Sequence, residues 1–130
     1  MIVDSSALVA ILFAEPGYLD LVDRILEADR ASVGAPTLAE TTLVFIGRRG
    51  GKNARPVEGL IEELGVSVLP FGPAEWPIAV EAFLRFGRGR HPAALNFGDC
   101  LAYAVAKSSR DTLLFVGDDF SKTDIKPAAP

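Results

Sequence analysis

The chain has 130 residues, 49% of them hydrophobic and 23% charged, which is the make-up of one folded domain and excludes a disordered or fibrous chain. Thirteen basic against 17 acidic side chains leave a net charge of −4, so overall attraction cannot hold a nucleic acid; local patches or a bound cation would have to. One cysteine, Cys100, and one histidine, His91, exclude an intramolecular disulfide, a cysteine-based zinc site and a paired-histidine metal motif.

Met1 to Val3 reads as a buried strand. Ser6 to Phe13 has helical character and stops at Glu15-Pro16-Gly17; Tyr18 to Asp29 is an amphipathic helix with Leu19, Leu21, Val22, Ile25 and Leu26 on one stripe. Ala31 to Gly34 is a second strand, and Pro36-Thr37 opens a helix expected to reach about Ile46. Gly47 to Pro56 is a glycine-marked turn, and Val57 to Leu64 a helix closed by Gly65. Val66 to Leu69 is a strand, Glu75 to Phe86 a helix, Gly87 to Asn96 a loop, Phe97 to Lys107 a helix and Thr112 to Val116 a strand. Trp76 is expected to pack inside, and Cys100 to be a small core residue. Residues 126–130, rich in Pro and Ala, are expected to fray, within a single domain spanning 1–130. No apolar run reaches the ~18 residues of a membrane span and no leader opens the chain, so a soluble cytoplasmic protein is expected.

Strands alternating with helices predict an α/β domain: a mostly parallel sheet of four to five strands flanked by helices. Ligands of such sheets bind beyond the carboxyl ends of the strands. Acidic residues stand where regular elements meet loops, two of them directly after strands. Asp4 follows the first strand, Glu40 begins the helix after the second, Asp99 begins a nearly all-apolar helix, and Asp118-Asp119 follow the last strand. Each also has a bland role. Asp4 and Asp99 can cap helices, Thr37 and Glu40 fit a capping box, and Gly-Asp-Asp suits a turn. Their joint placement on one edge favours a shared oxygen-rich site for a hard divalent cation such as Mg²⁺ or Mn²⁺.

Four segments, MIVDSSALVAIL, APTLAETTLV, GRHPAALNFGDCLAYAVA and LLFVGDDFSKTDI, carry a resemblance that covers almost the whole chain. In them the sequence resembles PIN-domain ribonucleases of the VapC type, the toxins of bacterial toxin–antitoxin pairs. The order Asp, Glu, Asp, Asp matches that family's acidic quartet. The resemblance implies a single PIN-like domain and a Mg²⁺- or Mn²⁺-dependent endoribonuclease. It places Asp4, Glu40, Asp99 and either Asp118 or Asp119 in the metal and catalytic site, with Asp119 preferred. Ser5 and Ser6 fall on the hydroxyl or amide positions after the first Asp, where Ser6 would support a carboxylate or the substrate phosphate. It further implies an RNA substrate, such as tRNA or another structured RNA, a VapB-like antitoxin over the acidic groove, and a homodimer.

Arg88, Arg90 and His91 form a basic loop just before Asp99 and are read as an RNA-backbone grip; Arg48, Arg49, Lys52 and Arg55 form a second basic cluster. The helices Tyr18–Asp29 and Thr41–Ile46 are apolar enough for some of their residues to face a partner. The competing readings are another phosphohydrolase or a DNA nuclease on the same acids, and a non-catalytic binding module whose acids are only caps.

Overall fold

The computed structural model describes residues 1–128. Four parallel strands, β1 (Ile2–Val3), β2 (Ser32–Gly34), β3 (Ser67–Leu69) and β4 (Leu113–Leu114), lie in the order β3-β2-β1-β4. Two helices link each pair of successive strands: α1 (Ser5–Leu12) and α2 (Tyr18–Glu27), then α3 (Ala35–Arg49) and α4 (Arg55–Leu64), then α5 (Trp76–Phe86) and α6 (Phe97–Ser109). This is the predicted α/β architecture with four strands.

The strands are short but wholly buried at the centre. Ile2 pairs with Ser32 on one side and Leu113 on the other. Alternate residues along a strand face opposite ways, so each strand feeds two cores. Val3, Val33 and Leu114 pack with α1, α2 and α4, whereas Ile2 and Leu113 pack with α5 and α6. Full burial of each such side chain contributes roughly 1.5–3 kcal/mol, so a few residues suffice to fix the register. In α1, Ala7 through Ile11 are all buried, and in α6 so are Cys100 and Ala102 through Ala106. Helices that are apolar on every face belong in the interior. Gly34, at the end of β2, meets α6 so closely that a Cβ there would lie 2.8 Å from Val105 Cγ2.

The structure departs from the sequence expectations at several points. α3 starts at Ala35 and runs to Arg49, so the turn shrinks to the residues after Gly50. Gly34 is its N-cap and Pro36 occupies the first turn, where a missing N–H costs nothing. Thr37 therefore lies inside the helix, with a buried Oγ1 that has no hydrogen-bond partner, and the Thr37–Glu40 capping box does not form. Trp76 is 59% exposed. Ile78, Ala79, Ala82 and Phe86 of α5 turn to the core, leaving Trp76, Val80, Phe83 and Leu84 outside. The outward apolar surface thus includes α5 as well as Leu19 and Leu26 of α2 and Leu43 of α3. Residues 126–128 are not frayed: Leu113 N donates to Lys126 O at 3.0 Å, Ala128 N donates to Leu113 O at 2.9 Å, and Ala128 is buried. That segment covers the outer edge of β4. Residues 129 and 130 of the expected tail lie outside the described residues. No helix among the described residues is long and apolar enough to cross a membrane.

Candidate functional site

The strand order reverses direction at β1, so the crevice of this sheet opens beyond the ends of β1 and its neighbours. Asp4 occupies that point. Its backbone N–H donates to Leu114 O of β4 at 2.9 Å, and its side chain caps α1 by accepting from Ser6 N at 3.1 Å. The Ser6 hydroxyl donates to the same oxygen, Oδ2, at 2.6 Å. The other oxygen, Oδ1, is buried with no hydrogen-bond partner. A capping carboxylate needs only one oxygen, and a buried orphan oxygen costs free energy. Capping alone therefore does not account for Asp4. Burial pushes its pKa up to about 6, against the two Ser6 hydrogen bonds, and the charges of Asp99 and Glu40 push it further in the same direction.

Asp99 is the third residue of α6 and forms a reciprocal capping box with Asn96. Asp99 N donates to Asn96 Oδ1 at 2.8 Å, and Asn96 N donates to Asp99 Oδ2 at 3.0 Å. The capping box therefore exists in this protein, but on α6 rather than α3. Burial raises the Asp99 pKa above the ordinary carboxylate value, the Asn96 bond opposes this, Asp119 and Glu40 raise it further, and Arg88 lowers it. Glu40 reaches across from α3 to α6, where its carboxylate lies against Gly98. A Cβ at Gly98 would sit 2.7 Å from Glu40 Cδ. Position 98 thus admits only a residue without a side chain while Glu40 keeps this place.

Asp118 and Asp119 lie in the exposed loop after β4, and Asp119 leads into a short 3₁₀ turn over Phe120–Lys122. Asp119 is the member of the pair whose charge raises Asp99, and Asp118 turns its backbone carbonyl to Ser121 N and Oγ. Ser6 ties this loop to Asp4, because its Oγ also accepts from Val116 N at 3.0 Å. Ser5 is half-buried as the first residue of α1.

Asp4, Glu40, Asp99 and Asp119 therefore share one electrostatic neighbourhood, supplied by β1, α3, α6 and the loop after β4. The donors are all carboxylate oxygens, which suits a hard divalent cation rather than zinc or copper. The orphan Asp4 Oδ1 fits the same ligand. Among the described residues no three acidic, His or Cys side chains stand close enough to grasp one ion together. Ser6 holds one Asp4 oxygen and Asn96 holds one Asp99 oxygen, while the like charges repel.

The basic loop lies beside this neighbourhood. Arg88 and Arg90 are exposed; Arg88 acts on Asp99, and the Arg90 guanidinium sits 5.5 Å from the centre of the Phe83 ring. His91 has a task within the loop: its Nδ1 accepts from Ala93 N at 3.0 Å and its ring meets Phe86 edge-on at 5.1 Å. In the other cluster, Arg48 pairs with Glu15 at 3.3 Å, and Arg48 and Arg49 stack on Phe13. The sequence reading missed Gly98 and the Ser6–Val116 tie. The glycine in Asn-Phe-Gly-Asp was a visible signal, but its partner Glu40 is distant in sequence.

The PIN domain family model matches residues 1–126. Ribonuclease VapC36 of Mycobacterium tuberculosis is 43% identical over 127 residues, covering 97% of this chain and 91% of the relative. Ribonuclease VapC42 of the same species is 37% identical over 129 residues, covering 98% of each. VapC ribonuclease R02377 of Rhizobium meliloti is 38% identical over 138 aligned residues, covering 95% of this chain and 97% of the relative. The crystal structure of Mycobacterium tuberculosis VapC20, described as a Sarcin-Ricin loop cleaving toxin, superposes with a TM-score of 0.75 at 20% identity, covering 99% of this chain and 98% of that one. At that identity the likeness bears on the fold.

Proposed function

The chain belongs to the PIN domain family and, within it, to the VapC ribonuclease toxins, and from that premise we propose that it is a divalent-metal-dependent endoribonuclease restrained by a cognate antitoxin. The observation that carries the metal dependence is Asp4. It is 3% exposed, keeps one oxygen without a hydrogen-bond partner, and feels the charges of Asp99 and Glu40. Nothing in the fold of α1 requires such a costly arrangement.

Asp4, Asp99 and Asp119, with Glu40, would hold Mg²⁺ or Mn²⁺. Bound there, the ion would neutralise phosphate charge and lower the pKa of a coordinated water. The residues supply the rest. Ser6 fixes Asp4 by its hydroxyl and, through Val116, fixes the loop that carries Asp119. The Asn96 cap holds Asp99 at the rigid end of α6. Glu40 binds the cation or orients the attacking water. Arg88 and Arg90 contact the RNA backbone and offset the repulsion between phosphate and the acids. Asp118 serves the turn, and Asp119 is the fourth acid.

The remaining proposals concern assembly. Residues 1–130 act as one domain, in the cytoplasm, as a homodimer. A VapB-like antitoxin covers the acidic groove, where an arginine would pair with the carboxylates in place of the metal. Sequencing RNA 5′ ends after brief expression tests the activity. New ends at defined sites with wild type, absent with Asp4→Asn, support it. Identical 5′-end profiles from the two proteins would count against it.

A further inference from the structure

We propose that the Thr37 hydroxyl is a positioning group of the acidic site, holding a water in the shell of the cation beside Asp4; this deepens the ribonuclease reading above and rests on its metal dependence. Thr37 is 2% exposed, and its Oγ1 has no hydrogen-bond partner. The other two threonines of α3 are satisfied. Thr41 Oγ1 donates to Thr37 O at 2.8 Å and Thr42 Oγ1 donates to Leu38 O at 2.8 Å, each bonding back one turn. Thr37 lies in the first turn, where the residue four back, Val33, still belongs to β2. A buried hydroxyl without a partner costs free energy, and valine would fill the same space without that cost. Packing of α3 therefore does not account for a threonine here.

The fold brings this hydroxyl to the side of Asp4. Ile2 pairs with Ser32 in parallel register, which sets Asp4 level with Gly34, the N-cap of α3. The first turns of α1 and α3 thus leave the same sheet edge as neighbours, and the two helices pack together. Thr37 and Glu40 are three residues apart on α3 and share a face, and the charge of Glu40 acts on Asp4. Among the described residues, the buried side-chain oxygens without a partner are Asp4 Oδ1 and Thr37 Oγ1. Both stand at this one edge.

The two oxygens need different things. An ionised carboxylate only accepts, whereas a hydroxyl accepts and donates. A bond from Thr37 to Asp4 would satisfy both, and it is not formed. The occupant that suits the pair offers positive charge to Asp4 and a hydrogen to Thr37. A hydrated Mg²⁺ or Mn²⁺ does both, because such ions bind carboxylates and keep waters of their own. A side chain that holds such a water tunes metal affinity without being a ligand.

The test compares the purified full chain with three variants. Thr37→Val removes the hydroxyl at nearly constant shape, Thr37→Ser keeps it, and Thr41→Val is a control one turn along, at a site equally buried. In chelator, Thr37→Val should unfold at the same urea concentration as wild type or a higher one. Its Mn²⁺ affinity by calorimetry should fall about 10–100-fold, and in RNA cleavage kcat should fall with KM little changed. Thr37→Ser and Thr41→Val should keep the wild-type Mn²⁺ affinity. Wild-type Mn²⁺ affinity in Thr37→Val would overturn the proposal. Earlier unfolding of Thr37→Val in chelator would also overturn it, by making the hydroxyl a structural group. An equal loss of Mn²⁺ affinity in Thr37→Ser or Thr41→Val would do so too, by assigning the effect to the packing of α3. A wild-type protein that binds Mn²⁺ and cleaves no RNA overturns the ribonuclease reading alone, since calorimetry judges Thr37 without RNA. A wild-type protein that binds no Mn²⁺ overturns this inference.

Discussion

The Ser6 hydroxyl donates to Asp4 Oδ2 at 2.6 Å while accepting from Val116 N at 3.0 Å, so one side chain joins the end of β1 to the loop after β4. Ser6→Ala removes both bonds. A hydrogen bond to a buried carboxylate contributes roughly 1.5–3 kcal/mol when that carboxylate is charged. The ionised form of Asp4 loses most, so its pKa should rise further. The expected result is a slower cleavage reaction whose pH profile moves to higher pH. An activity loss with no shift of the profile would mean that Ser6 acts only on the loop.

Burial raises the Asp4 pKa to about 6 from its ordinary 3.8, so the folded protein binds this proton more tightly than the unfolded chain does. The stability that protonated Asp4 contributes is complete below 3.8 and is lost as pH rises through about 6. The full difference is about 3 kcal/mol. Asp99 is shifted in the same direction, whereas the carboxyls of Asp111 and Asp124 are held low and act oppositely in both proteins compared. With chelator present, Asp4→Asn should therefore unfold at higher denaturant than wild type at neutral pH, by about 1–3 kcal/mol, with the gap closing in acid. A variant less stable than wild type at neutral pH would contradict the burial argument.

Gly98→Ala should displace the Glu40 carboxylate, because the new Cβ would lie 2.7 Å from Glu40 Cδ. The obstacle is the far end of a flexible side chain, so the melting temperature should move little. RNA cleavage should fall sharply, as it should in Glu40→Gln. Full activity in Gly98→Ala would show that Glu40 works from another position.

The architecture, and the elements on which the candidate acids stand, were readable in the sequence for local reasons. Met-Ile-Val before Asp4 marks a strand end, and the apolar run after Asp99 marks a buried helix, so both acids could be placed on one edge. Glu40 was placed correctly on its helix but with the wrong neighbour. Thr-x-x-Glu has the spacing of a capping box, yet Gly34 ends β2 early enough for α3 to begin two residues before Thr37. Helix starts depend on where the preceding strand is held, which is a tertiary fact. Gly98 was visible as a glycine, but its role is defined by a contact between α3 and α6, which are distant in sequence.

Arg88 and Arg90 are both exposed on the loop that leads into α6. Replacing both with Ala should weaken RNA binding and reduce the slope of log affinity against log salt by roughly 1.4, at ~0.7 per single-strand phosphate contact. Mn²⁺ affinity should change little, because neither is a ligand. A salt series with Ca²⁺ in place of Mg²⁺ measures this. An unchanged slope would move the backbone contacts to Arg48, Arg49, Lys52 and Arg55.

The central claim is that the acids at the ends of β1 and β4 and on α3 and α6 form one metal-dependent catalytic site. The most direct measurement is Mn²⁺-dependent cleavage of RNA by purified wild type and Asp99→Asn, with Mn²⁺ binding followed by calorimetry on the same samples. An asparagine at 99 can still accept from Asn96 N, so the fold should hold and only the charge is lost. The account predicts cleavage by wild type that chelator abolishes, and an Asp99→Asn protein that is folded, binds Mn²⁺ more weakly and does not cleave. Cleavage by Asp99→Asn at the wild-type rate, or wild-type cleavage that persists in chelator, would contradict it.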